Sequence, residues 1–219
     1  MKECSEAIRA AYGKAGGHHV RAAGCFPANA TVCKKGTGSI CMDALCVGDE
    51  ILVADSEGNL VYEPVLTFLH LFRGSRNVLF EYIKVTHSAG ELVIHPDHLL
   101  NVTRRGLTAY MAARDLVPSD FISSVWIDGS FSLSSVTAVE HVSQKGLYCP
   151  LTYSGTIVVD GVWCSCYSPP PKEWLGYVAT HETCHFSVLP LRLHGGAPGP
   201  GTEGVHPYCQ VLISLTSSN

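Results

Sequence analysis

From Cys25 to about Tyr167 the apolar residues come in short runs separated by turn-forming residues, a spacing that predicts strands. Ile51-Leu52-Val53-Ala54 and Leu60-Val61-Tyr62 flank Asp55-Ser56-Glu57-Gly58-Asn59, a hairpin signal. Val78 to Val85 is rich in aliphatic and aromatic residues. Leu92-Val93-Ile94 and Leu99-Leu100 flank His95-Pro96-Asp97-His98, so a turn carries a histidine pair. Phe121 to Phe131 contains Ile127-Asp128-Gly129-Ser130, a second hairpin. Thr156 to Val159 reads as a buried strand ended by Asp160-Gly161.

The two hairpins overlay at an offset of 71 residues. Leu45 then meets Leu116, Asp49 meets Asp120, Ile51 meets Ile122, Gly58 meets Gly129, Val65 meets Val136 and His70 meets His141. The shared order predicts a duplicated β subdomain, two copies packed into one compact all-β unit.

The two ends read differently. Residues 1–24 interleave Ala and Gly with Arg9, Lys14, Arg21 and His18-His19, with no stripe or alternation, and predict a linker. Beyond residue 168 lie seven of the twelve prolines, starting at Pro169-Pro170-Pro171. Trp174 to Leu193 could hold one amphipathic helix, and Gln210 to Leu215 is a short apolar end. The expected domains are a linker over 1–24, an all-β domain over 25–168 and a partly helical appendage over 169–219.

Composition narrows the classes. With 46% hydrophobic residues the chain of 219 residues is too apolar for a disordered tail. A net charge of −4 gives a nucleic-acid partner no electrostatic support. No stretch approaches the roughly 18 apolar residues of a membrane span. Ten cysteines without a C-x-x-C pair argue against a zinc ribbon or thioredoxin-like site. No apolar leader follows Met1, so the chain reads as cytosolic or as a piece of a secreted precursor.

Three places could do chemistry. Cys25 follows Gly24 at the linker boundary, where a thiol can attack the preceding carbonyl through a five-membered ring and turn the amide into a thioester. The alternative is a buried or disulfide-bonded cysteine. His95 and His98 could supply a general acid for the departing amine, or be a surface pair, or two ligands of a metal whose other ligands are not nearby in sequence. Cys164-Ser165-Cys166 could bridge to Cys25, pack beside it, or be ordinary buried residues.

The ordered set Gly24–Val32 (GCFPANATV), LCVGDEIL, LTFLH, HPDHLL, CPLTYSGTIVVDGVWCSCY, HFSVLPLRL and GVHPY resembles the Hedgehog C-terminal autoprocessing domain. That resemblance implies the Hint fold shared with inteins, a duplicated all-β disc. It implies Cys25 as nucleophile, Gly24 as the residue that receives a sterol, His98 as the acyl-shift histidine and Cys166 as the family's second cysteine, in a redox or structural role. It implies single-turnover self-cleavage in which a sterol hydroxyl, that of cholesterol, displaces Cys25 and leaves the upstream signalling domain as a sterol ester. Sterol is then a co-substrate, with no cofactor and no metal. The tail would recognise sterol, with Trp174, Tyr177 and Phe186 as candidates, and contact the membrane. A monomer processed in the endoplasmic reticulum lumen of the secretory pathway, with extracellular or membrane-associated products, would follow. Two positions depart from the family: His95 stands where it has Thr, and His70 where it has the Asp base of the sterol step. His70 is the expected base here. The rivals are an intein-like Hint that hydrolyses its thioester or passes it to a non-sterol nucleophile, and a non-catalytic, disulfide-bonded secreted binding module.

Overall fold

The computed structural model describes residues 25–73, 78–125, 129–168, 180–193 and 203–216. The linker, Gly24, Trp174 and Tyr177 lie outside the described residues.

The first copy runs through β1 (Thr31–Lys34), β2 (Gly38–Cys41), a 3-10 turn Met42–Ala44, β3 (Glu50–Ala54), β4 (Leu60–Pro64), β5 (Thr67–Phe72), β6 (Phe80–His87) and β7 (Gly90–Ile94). The second repeats it as β8 (Leu99–Arg104), β9 (Leu107–Ala112), a 3-10 turn Ala113–Asp115, β10 (Phe121–Val125), β11 (Phe131–Gln144), β12 (Leu147–Leu151), β13 (Thr156–Val159) and β14 (Val162–Ser165). The two 3-10 turns stand at the predicted offset of 71 residues, and so do the contacts around them. Val65 N–H donates to the Asp49 carbonyl at 2.9 Å, and Val136 N–H to that of Asp120 at 2.8 Å.

At Val65 and Val136 each copy bends. In the first, the chain breaks between β4 and β5 just after Pro64, which has no N–H to give a ladder. In the second, β11 continues through a register shift between Val136 and Ala138. The leg beyond each bend pairs with the opposite copy: β5 with β12, and β11 with β6. This exchange interlocks the copies. Twelve strands form one sheet, with β12-β5-β15 as a second of three. The core between them holds Phe26, Met42, Leu45, Ile51, Tyr82, Leu92, Ile94, Leu100, Ile122 and Tyr148, all buried.

Over 180–193, the described part of the helix expected from Trp174 to Leu193, the chain forms α1 (His181–Ser187) followed by α2 (Leu189–Leu193). Thr180 caps α1 through a reciprocal capping box with Thr183. The break falls at Val188, just before Pro190, which is tolerated only in the first turn of the new helix. The apolar end forms α3 (Pro207–Thr216), entered through β15 (Gly204–Val205), which adds to β5. No helix among the described residues is long and apolar enough to cross a membrane.

Candidate functional site

The site lies where both copies begin and end. Cys25 enters the fold one residue before Phe26, which bridges Tyr148 of β12 in antiparallel fashion. On the other side of β12, Cys149 stands opposite His70 of β5. Residues paired across strands share a face, so Cys25, Cys149 and His70 line up across three segments. The consequence is direct: His70 Nδ1 is 3.3 Å from Cys25 Sγ, with both residues fully buried.

The turn between the copies brings the histidine pair to the same place. His95 N–H donates to the Cys25 carbonyl at 3.1 Å, while its ring Nδ1 accepts from Asp97 N–H at 3.2 Å. His95 thus fixes the Cys25 backbone through its own backbone. An Arg114–Asp97 ion pair ties the turn down. His98 is fully buried and packs on Phe26 with ring centroids 4.5 Å apart. Its Nε2 lies 2.7 Å from the Ser165 carbonyl, which can only accept, so the proton of that bond sits on Nε2.

Cys166 lies next to Cys149. Its sulfur lies 3.5 Å from the Thr152 hydroxyl, and its carbonyl accepts from Cys149 Sγ at 3.3 Å. Burial pushes the Cys166 thiol up to about 12. The Cys149 thiol is held well above its ordinary range by its hydrogen bond with Cys25 and by burial. No disulfide joins the nine cysteines of the described residues. Among the described residues no group of three or more His, Cys, Asp or Glu is placed to hold a metal ion.

Two contributors escape sequence reasoning. Cys149 carries no spacing signal of its own; only the pairing of residues 26 and 148 places it. Ser165 enters through its carbonyl, which any residue supplies. Its hydroxyl accepts from Tyr167 N–H at 2.9 Å and hydrogen-bonds with His181 Nδ1 at 2.9 Å, which docks α1 there. Phe186 projects from α1 and is 76% exposed, with Leu193 at 72% on α2 and Val211 at 56% on α3. His141 is exposed on β11, far in character from buried His70.

The sequence pattern of the Hint module matches residues 13–218. The chain belongs to the Hint family. It is 32% identical over 206 residues to the Indian hedgehog B protein of Danio rerio, across 88% of this chain and 48% of that protein. To the Drosophila virilis protein hedgehog it is 26% identical, across 78% of this chain and 34% of the relative. The chain therefore spans about half the length or less of these curated relatives. A DnaB intein from Synechocystis superposes with a TM-score of 0.54 at 10% identity, across 65% of this chain and 97% of the intein, a likeness of fold alone. The all-β Hint fold with helices at its C-terminal end is thereby established.

Proposed function

We propose that the chain is a self-processing domain that cuts itself at Gly24–Cys25 and passes the upstream segment to a sterol hydroxyl. The contact of His70 Nδ1 with Cys25 Sγ, inside the turn that carries His98, supports this reading most. Cys25 Sγ attacks the Gly24 carbonyl; the C–N bond breaks and a C–S bond forms. With the Nε2 proton of His98 committed to the Ser165 carbonyl, its Nδ1 takes up the thiol proton and delivers it to the departing Cys25 amine.

In the second step the alcohol oxygen attacks the thioester, and Cys25 leaves as its thiolate. A thiol ionises near 8.5 and needs little help, whereas an aliphatic alcohol needs a base in the transition state. In this reading His70 takes the hydroxyl proton and returns it to the departing sulfur, a role that its contact with Cys25 Sγ supports. Cholesterol is the proposed co-substrate. The exposed Phe186, Leu193 and Val211 suit an apolar ligand or a membrane surface. An upstream signalling domain in cis and passage through the secretory pathway belong to the same proposal, supported by the likeness to Hedgehog relatives.

The test uses the chain with a reporter upstream of Gly24. Hydroxylamine should release the reporter as a hydroxamate, and cholesterol should release it as a heavier, sterol-bearing product. Cys25→Ala should do neither. Release by hydroxylamine with cholesterol inert would keep the self-cleaving reading and discard the sterol step.

A further inference from the structure

Cys149 has no part in the reaction proposed above, yet its position is specific. Phe26 and Tyr148 exchange both backbone hydrogen bonds, at 2.8 and 3.0 Å, so they form a hydrogen-bonded antiparallel pair. The next pair outward, Cys25 opposite Cys149, is then a non-hydrogen-bonded one. Such pairs hold their Cα atoms about 4.5 Å apart, with the side chains close on one face. A disulfide closes over Cα separations of roughly 4.4–6.8 Å. The two thiols are also in hydrogen-bond contact. Cys166 is placed otherwise, with its sulfur on Thr152 and only its carbonyl on Cys149.

We infer that Cys25 and Cys149 form a reversible disulfide, with Cys149 as the resolving thiol, and that a low-molecular-weight disulfide is the oxidant. The Cys25 thiolate attacks one sulfur of glutathione disulfide, forms a mixed disulfide and expels one glutathione. Cys149 then attacks the Cys25 sulfur, forms the intramolecular bond and expels the second glutathione, which leaves with the Cys149 proton. Two protein thiols lose two electrons, and one disulfide becomes two thiols. The Cys149 thiol, held up by its contact with Cys25 and by burial, is a poor first attacker, which suits it to the second, resolving step. With its sulfur in that bond Cys25 cannot reach Gly24, and the chain stays uncut until reduced. This last consequence rests on the nucleophile reading of Cys25; the disulfide itself does not.

The experiment treats the reduced full chain with glutathione disulfide, alkylates what remains, and maps disulfides by mass. The wild type should gain no glutathione, yield a Cys25–Cys149 linked peptide and lose hydroxylamine-induced cleavage. A phosphine reductant, which is no thioester nucleophile under these conditions, should restore that cleavage. Cys149→Ser should instead accumulate a glutathione adduct at Cys25, and Cys166→Ser should still form the Cys25–Cys149 link. A Cys25–Cys166 link in the wild type, or a glutathione adduct persisting on wild-type Cys25, overturns the inference. A linked peptide in a chain that never cleaves when reduced would sink the nucleophile reading and leave the disulfide standing.

Discussion

The two copies of the duplicated β unit share a frame and differ in what they put on it. Each has a 3-10 turn, an Asp that closes the next loop, and a bend at a matched valine. At the end of that shared stretch His70 and His141 occupy matched places, yet His70 is fully buried against Cys25 and His141 is exposed. The exchange of legs explains the difference. β5 is covered by β12 on one side and β15 on the other, whereas the matched part of β11 pairs with β6 and leaves His141 to solvent. Duplication built the scaffold; the strand that each leg meets decides which copy carries chemistry.

The largest expected effect tests this asymmetry. His70→Ala should lower cholesterol-induced cleavage by about 10²–10⁴-fold, the usual contribution of a positioned base. Hydroxylamine, which attacks without one, should still cut the thioester. His141→Ala should leave both rates unchanged. Parallel rate measurements on the two variants check it; equal losses in both would mean that the pair is a feature of the scaffold. His70→Asp, which puts a carboxylate base in the same place, should keep sterol transfer.

Next in size is the paired loop-closing Asp. Asp120 is buried, holds Arg104 through two bonds of 2.7 Å and accepts from Val117 N–H at 2.9 Å. Those partners hold its carboxyl below the usual range. Asp49 pairs with Lys34 at 2.6 Å and accepts from Cys46 N–H at 3.0 Å, with its side chain more open to water. Asp120→Ala removes both bonds to Arg104, which keeps water and the Asp115 carbonyl, and leaves Val117 N–H without its acceptor, which should cost about 2 kcal/mol. Asp49→Ala should cost about 1 kcal/mol, as for a partly exposed pair. Urea titrations of both variants give the comparison directly.

The sequence carried the strands, the repeat and the entry of Cys25, because alternation and turn residues are local signals. The matched residues Leu45 and Leu116, Asp49 and Asp120, Val65 and Val136 fall in equivalent places. Also legible were the turn holding His95 and His98, and the nearness of Cys166 to the site. What escaped is set by pairing across distance. Cys149 joins the site through a bridge spanning 26 to 148, and α1 docks through a Ser165 hydroxyl that no motif marks. The helix expected through Leu193 was misjudged because Pro190 counts as a start as much as a stop.

The two copies also differ in what they carry at the C-terminal end, since α1 packs on Tyr110, Ser165 and Tyr167 of the second copy. Burial pushes His181 and His185 down from 6.5 to about 4, with Arg192 acting on both in the same direction and Glu182 against it. The neutral forms are favoured when docked, so the undocked state binds more protons between pH 6.5 and 4. Docking is therefore fully supported above about 6.5 and weakens as the pH falls toward 4. Hydrogen exchange in α1 should rise over that window ahead of exchange in β3. Simultaneous loss of protection in both would mean that α1 does not open as a separate unit.

The smallest expected effect lies in one pair of loop residues. Gly48 and Ser119 occupy matched positions, and both adopt left-handed backbone, with φ of 90° and 84°. Both donate their N–H to the valine at the bend, Gly48 to Val65 at 2.8 Å and Ser119 to Val136 at 3.0 Å. The loop thus demands the same conformation twice, and only the first copy meets it with the residue that adopts it freely. A side chain in that region costs roughly 1–2 kcal/mol, while glycine loses roughly 0.5–1 kcal/mol more chain entropy on folding. Ser119→Gly should therefore stabilise the protein by about 0.5 kcal/mol, the difference of the two. A Cβ at Gly48 would meet nothing within 4 Å, so Gly48→Ser adds no clash and should destabilise by a similar amount. The double exchange, Gly48→Ser with Ser119→Gly, should then return close to wild-type stability, since the loops carry the same backbone demand. Thermal melts of the two single variants and the double one read this out. A double variant much less stable than wild type would mean that Ser119 holds its loop by something other than backbone conformation, and that the two copies are less alike there than their φ angles indicate.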